Sequence, residues 1–189
     1  MKVVGITGGI GSGKTTVCKV FEVLEIPVFY SDDVSKSILF SDKISAIVIN
    51  EFGGQVTVNG LLSKAMLAKH VFRDKTALDW LNKLLHPLVG EAFKNWLSNQ
   101  KSSFVLKEAA ILFESGGYKS CDLVINVSCD KQSRIDRIQQ RDSRSVSDIE
   151  AIMDKQWSEN ERLVNSDYII NNSNSKLLPQ IISLHQELL

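Results

Sequence analysis

The chain has 189 residues, 43% hydrophobic and 23% charged, with 11 glycines and 3 prolines. That suits one domain, large enough to bury a core without disulfide or metal staples, and it excludes bulk disorder. Lysine plus arginine and aspartate plus glutamate stand at 22 each, so there is no basic excess of the kind a dedicated nucleic-acid binder uses, while a local anion site stays open. Cys18, Cys121 and Cys129 are an odd set without C-x-x-C spacing, which predicts small buried thiols in a reducing compartment rather than a zinc site or disulfide framework. Met1-Lys2 runs straight into a short apolar segment, too short for a signal peptide, and no segment approaches the ~20 apolar residues of a bilayer span. The expectation is a soluble, cytoplasmic protein with no membrane association.

Val3 to Thr7 is a short apolar run, the pattern of a strand buried on both faces. After a glycine cluster, Val17, Val20, Phe21 and Leu24 mark one face of a helix over Thr15–Leu24. Ile26–Tyr30 reads as a second strand, ended by Ser31-Asp32-Asp33. From residue 34 to 100 the pattern is mostly helical, broken at Gly53-Gly54 and Asn59-Gly60, with Gln55–Val58 a loop or short strand. His86-Pro87 predicts a boundary between two helices, because the residue before proline disfavours helical backbone. Strands follow at Phe104–Leu106, Leu123–Val127 and Tyr168–Ile170, with helices over 131–142, 147–163 and 176–188. Strands alternating with helices imply a parallel sheet covered on both faces, and the stretch between strands two and three is too long for a simple crossover.

Gly8-Gly9-Ile10-Gly11-Ser12-Gly13-Lys14-Thr15 satisfies every fixed position of G-x-x-x-x-G-K-[ST], between a buried strand and a helix. Backbone N–H groups of such a loop converge on a polyphosphate, and the helix N-terminus adds a favourable field. Lys14 then reaches the β- and γ-phosphates, the Thr15 hydroxyl is placed to ligate Mg²⁺, and Thr16 follows in the same turn. The motif leaves kinases, ATPases and GTPase switches open, but no Asn-Lys-x-Asp guanine signature exists; Asn82-Lys83-Leu84-Leu85 lacks its aspartate. A carboxylate at the carboxyl end of strand two, Asp32 or Asp33, is suited to take a hydroxyl proton, or else both merely cap the next helix. Glu108, ending strand three, is equally open to a place near Mg²⁺ through water and to pairing with Lys14.

Several stretches together resemble the dephospho-CoA kinase family, in the family's order over residues 3–172. They are Ile6–Thr15, Asp32 after strand two, Leu81-Asn82-x-x-Leu85-His86-Pro87-x-Val89, and Ile111-Leu112-Phe113-Glu114-Ser115. Arg137-x-x-x-Arg141-Asp142, Gln156 and Asp167-Tyr168-Ile169-Ile170-x-Asn172 complete the set. The resemblance implies ATP-dependent phosphorylation of the ribose 3′-hydroxyl of dephospho-CoA, with Asp32 as base, Arg141 as a lid arginine beside Arg137, and His86 and Glu114 on the acceptor side. Four departures stand out. Tyr30 occupies the place of the first acid of the family's Asp-Ala-Asp, Ala110 that of a proline, and Arg134 that of a glutamine; Ser63-Lys64 also replaces an Asp-Arg pair.

Arg134, Arg137 and Arg141 share a helix face, where guanidinium forks suit phosphate clamping. For Arg134 a solvated, salt-bridged surface is an equal reading. The expected architecture is a three-layer α/β phosphate-loop fold with a five-stranded parallel sheet. Its core covers about 1–33, 101–130 and 165–189, its helical acceptor insert about 34–100 and its lid about 131–164, in a single domain. ATP, Mg²⁺ and dephospho-CoA are the expected ligands, with no nucleic acid and no obligate protein partner. A nucleoside monophosphate kinase, or a regulatory ATPase, is the alternative.

Overall fold

The computed structural model describes residues 1–173 and 175–189. Two compact units emerge: Met1–Tyr30 with Gln100–Leu189, and Ser31–Asn99. In chain order the elements are β1 (Lys2–Thr7), α1 (Lys14–Val23), β2 (Val28–Tyr30), α2 (Ser31–Leu39), α3 (Asp42–Phe52), β3 (Thr57–Val58), β4 (Leu61–Leu62), α4 (Lys64–Arg73) and α5 (Lys75–Leu97). There follow β5 (Phe104–Glu108), β6 (Leu123–Ser128), α6 (Lys131–Asp142), α7 (Val146–Met153), α8 (Glu159–Val164), β7 (Tyr168–Asn171) and α9 (Leu177–Leu188).

The first unit is built on a five-stranded sheet in the order β2-β5-β1-β6-β7, all neighbours parallel. Every strand is separated from its neighbour by a crossover, as parallel pairing demands. The central β1 buries Val4 and Ile6 completely, as does β5 with Phe104 and Leu106. One face packs against Val17, Cys18 and Phe21 of α1 and Ile181, Leu184 and Leu188 of α9. Fully burying each large side chain contributes about 1.5–3 kcal/mol, so α1 is held firmly where its N-terminus meets the loop. Burial, with Glu108 adding to it, pushes the Cys18 thiol far above its ordinary range and leaves it protonated.

The second unit has its own core, in which Ile44, Val48, Val56, Leu67, Val71, Ala77, Leu81 and Leu85 meet. Its hairpin β3–β4 turns on Asn59-Gly60, both at positive φ, the conformation a two-residue hairpin turn requires. Asp74 caps α5, its Oδ1 accepting from the backbone N–H groups of Thr76 at 2.8 Å and Ala77 at 3.1 Å.

The sequence boundary expected at His86-Pro87 does not exist: α5 continues through Pro87 to Leu97. Pro87 lies on an exposed face, and so does Lys83, whose carbonyl loses its helical donor and is open to water. The apolar face continues on both sides of the proline, with Ala77, Leu81, Leu85 and Phe93 buried, and that packing outweighs the lost bond. The stretch 147–163 divides into α7 and α8, because Ser158 starts a new helix with a capping box to Glu161.

Candidate active site

β1 ends at Thr7 and α1 begins at Lys14, and the six residues between them form a loop wrapped around the helix N-terminus. Gly13 caps the helix in the left-handed region, φ 96°, and its carbonyl accepts from Thr16 N at 3.0 Å. The Lys14 ammonium folds back and donates to the Gly8 carbonyl at 2.8 Å, so the cation lies within the loop. Thr15 and Thr16 are exposed on the first turn. The arrangement offers an anion the first turn and positive end of α1 and a fixed ammonium.

Side chains from distant parts of the chain fix the loop. Ile10 is held at both polar groups: its N–H donates to Gln156 Oε1 at 2.8 Å, and its carbonyl accepts from Arg134 Nε at 2.9 Å. Gln156 also donates through Nε2 to the Ala110 carbonyl at 3.0 Å, tying the loop to the segment after β5. The Ser12 carbonyl accepts from Asn172 Nδ2 at 2.8 Å and from Arg137 Nη1 at 3.5 Å. Arg137 Nη2 donates to the Asn172 carbonyl at 2.8 Å, and Nη1 reaches the Cys129 sulfur at 3.2 Å.

Behind this layer lies a charged cluster. Glu159 accepts from Arg162 Nη2 at 2.7 Å and from Asn126 Nδ2 at 3.2 Å. Burial opposes the Glu159 charge, but hydrogen bonds from Arg162, Ser128 and Asn126 outweigh it and hold the carboxyl below its ordinary range. Arg162 is 2% exposed and also donates to the Trp157 carbonyl. Asn126 pairs in register with Thr7, so the cluster sits where β1 hands over to the loop.

With this geometry, the comparisons with known proteins converge. The dephospho-CoA kinase family model matches residues 2–177. The chain belongs to the dephospho-CoA kinase family. A relative from Idiomarina loihiensis named dephospho-CoA kinase is 37% identical over 191 residues, 99% of this chain and 95% of its own. A solved structure from Thermus thermophilus superposes with a TM-score of 0.90 at 26% identity, covering 99% of this chain and 95% of that one. The dephospho-CoA kinase from Campylobacter jejuni gives 0.69 at 25% identity, over 98% and 96%.

The residues singled out from the sequence fall into five places. Gly8 to Thr16, Lys14 and Arg137 come together at the loop. Arg141 is on α6 but exposed, its guanidinium bonded through Nε and Nη2 to Asp142 at 2.7 and 2.8 Å. Glu114 accepts from the Trp157 N–H at 2.7 Å, and Trp157 stacks on Phe113 with centroids 5.0 Å apart. Asp32 and Asp33 lie exposed in the first turn of α2, and His86 is exposed on α5. The solvated-surface reading of Arg134 fails, since that residue is 7% exposed and bonded to the loop. Sequence reasoning gave no role to Asn172 or Gln156, although both stand in the family's motifs, and none to Glu159 or Arg162. Glu159 and Arg162 are spaced i,i+3 on α8, a pattern common on solvated helices, which hides the burial of Arg162.

Proposed function

We propose that this chain transfers the terminal phosphoryl group of ATP to the ribose 3′-hydroxyl of dephospho-CoA, giving CoA and ADP. The observation that carries this reading is the complete phosphate loop with Lys14 seated inside it, in a chain of this family. Backbone N–H groups of the Gly8–Thr16 stretch other than those of Ile10, Ser12 and Thr16, which are engaged within the protein, bind the polyphosphate together with the positive end of α1, and Lys14 balances charge on its β- and γ-oxygens. Arg137 already lies against the loop; Arg141 would exchange Asp142 for phosphate oxygens when nucleotide arrives. Asp32, the second residue after β2, accepts the proton of the 3′-hydroxyl, and His86 and Glu114 serve the acceptor side. The ribose oxygen then bonds to the γ-phosphorus as the bond to the β,γ-bridging oxygen breaks, and ADP leaves with that electron pair.

The residues present fit Mg²⁺. Among the described residues no group of three His, Cys, Asp or Glu side chains gathers to hold a metal ion, while the Thr15 hydroxyl stands exposed at the helix N-terminus. One protein hydroxyl with phosphate and water oxygens suits a small, hard, reluctantly dehydrated cation. When bound, the ion supplies charge neutralisation across the β- and γ-phosphates.

The test is ADP release with Mg²⁺-ATP, with and without dephospho-CoA, for the native chain, Asp32→Asn and Asp33→Asn. Acceptor-dependent turnover should fall by about 10²–10⁴-fold in Asp32→Asn and stay within about threefold in Asp33→Asn. ADP release indifferent to dephospho-CoA sinks the reaction; loss confined to Asp33→Asn moves the base by one residue.

A further inference from the structure

Two buried arginines beside the loop, Arg134 and Arg162, interact with one half-buried carboxylate, Glu159. Arg134 lies with its guanidinium flat over Gly9: a Cβ added there would meet Cζ and Nη2 at 2.4 Å and Nη1 at 2.7 Å. Its Nε is committed to the Ile10 carbonyl, which fixes the plane of the fork. Among the described residues Nη1 and Nη2 donate no hydrogen bond, and neither is closed off from solvent, so this edge stays open at the loop although the residue as a whole is only 7% exposed. The nearby carboxylate, Glu159, spends its two oxygens on Arg162 and Asn126. Arg162 is itself buried and repels Arg134, and desolvation followed by that repulsion lowers the Arg134 pKa from its ordinary value. Two neighbouring guanidinium groups repel each other, an anion bound between or beside them relieves that repulsion, and the open Nη edge is where one can reach Arg134.

The place of that edge identifies the anion. Lys14 binds the Gly8 carbonyl and Arg134 covers Gly9, the next residue, so both cations flank one stretch of the loop. Helix N–H groups suit the inner phosphates, and the lysine of such a loop reaches the outer ones. We propose that Arg134 is a phosphate-contacting residue whose Nη1–Nη2 edge binds the terminal phosphoryl group of the donor nucleotide. This rests on the reading of the loop as an ATP site. It gives this chain a resident cation for the transferring group, in place before any exposed arginine of α6 is recruited. A fork held by Nε on a loop carbonyl is preorganised, so its contribution grows as charge shifts during transfer.

Titration calorimetry with Mg²⁺ and either AMP-PNP or ADP, on the native chain and Arg134→Gln, separates a terminal-phosphate contact from a general loop support. The variant should bind AMP-PNP about 10–100-fold more weakly and ADP less than about threefold more weakly, with kcat down about 10²-fold and the KM for dephospho-CoA within about twofold. Equal weakening of both nucleotides, or none, overturns the proposal. Should Arg134→Gln fail to fold, Arg134→Lys carries the same comparison: a loss selective for AMP-PNP of about threefold or more supports the contact, and a non-selective one overturns it. Dephospho-CoA-dependent turnover by the native chain is read separately. Without it, selective loss of AMP-PNP binding still upholds Arg134 while the acceptor assignment falls.

Discussion

Glu159 binds the buried Arg162, and its removal leaves that guanidinium without a counter-charge. Glu159→Gln is therefore expected to cost about 2–3 kcal/mol at neutral pH, measured by urea unfolding. The native carboxyl is held below its ordinary range, so its contribution is full above about pH 4.3 and is lost as pH falls through the depressed folded value. The gap between native and variant chains should accordingly close under acid, and a gap independent of pH would remove Glu159 as the source. A second residue-scale outcome concerns Gln156, which serves Ile10 and Ala110 together. Gln156→Leu leaves both backbone groups without their partner and should raise the KM for ATP about tenfold with little change in that for dephospho-CoA, checked by steady-state kinetics. The loop itself was fully legible in the chain, because its spacing is local and its glycines leave few alternatives. Its supports were not, since Arg134, Gln156 and Asn172 reach it from 124 to 160 positions away.

Helix α5 is the element where a local rule lost to packing. Proline disfavours helix at the residue before it and removes one bond, yet the buried series through Leu81 and Leu85 to Phe93 keeps the helix in one piece. Pro87→Ala restores the donor to the Lys83 carbonyl, so the variant should be stabilised by about 1 kcal/mol, a gain visible as a higher Tm. A lowered Tm would mean that the proline's restriction of the unfolded chain outweighs the missing bond. The opposite lesson comes from α6, whose bounds 131–142 follow from its charge and apolar spacing and whose start Asp130 caps through the Ser133 N–H at 2.8 Å. The division of α7 from α8 was missed because Gln156 and Trp157 are acceptable helix residues. What breaks the helix there is their engagement with Ile10, Ala110 and Glu114, which no local pattern announces.

At the scale of the molecule, 22 positive and 22 negative side chains leave no net charge near neutrality, with a sequence pI of about 6.8. Solubility in polyethylene glycol should pass through a minimum between pH 6.5 and 7.5 and rise on either side, as mutual repulsion returns. The parallel sheet was readable as a class, since apolar runs alternate with amphipathic ones; the order β2-β5-β1-β6-β7 was not, because strand neighbours are chosen by crossovers rather than by the strands' own residues. That order has a consequence for how the chain is made. β1 leaves the ribosome before the other strands, yet both strands that flank it, β5 and β6, pair with it from more than a hundred positions further along the chain. At about 5–20 residues per second, Val3, Val4 and Ile6 wait several seconds or more without a partner, while the helical stretch Ser31–Asn99 is synthesised with every residue of its own core already present. The most buried strand of the finished protein is thus the one that nascent-chain chaperones have longest to bind.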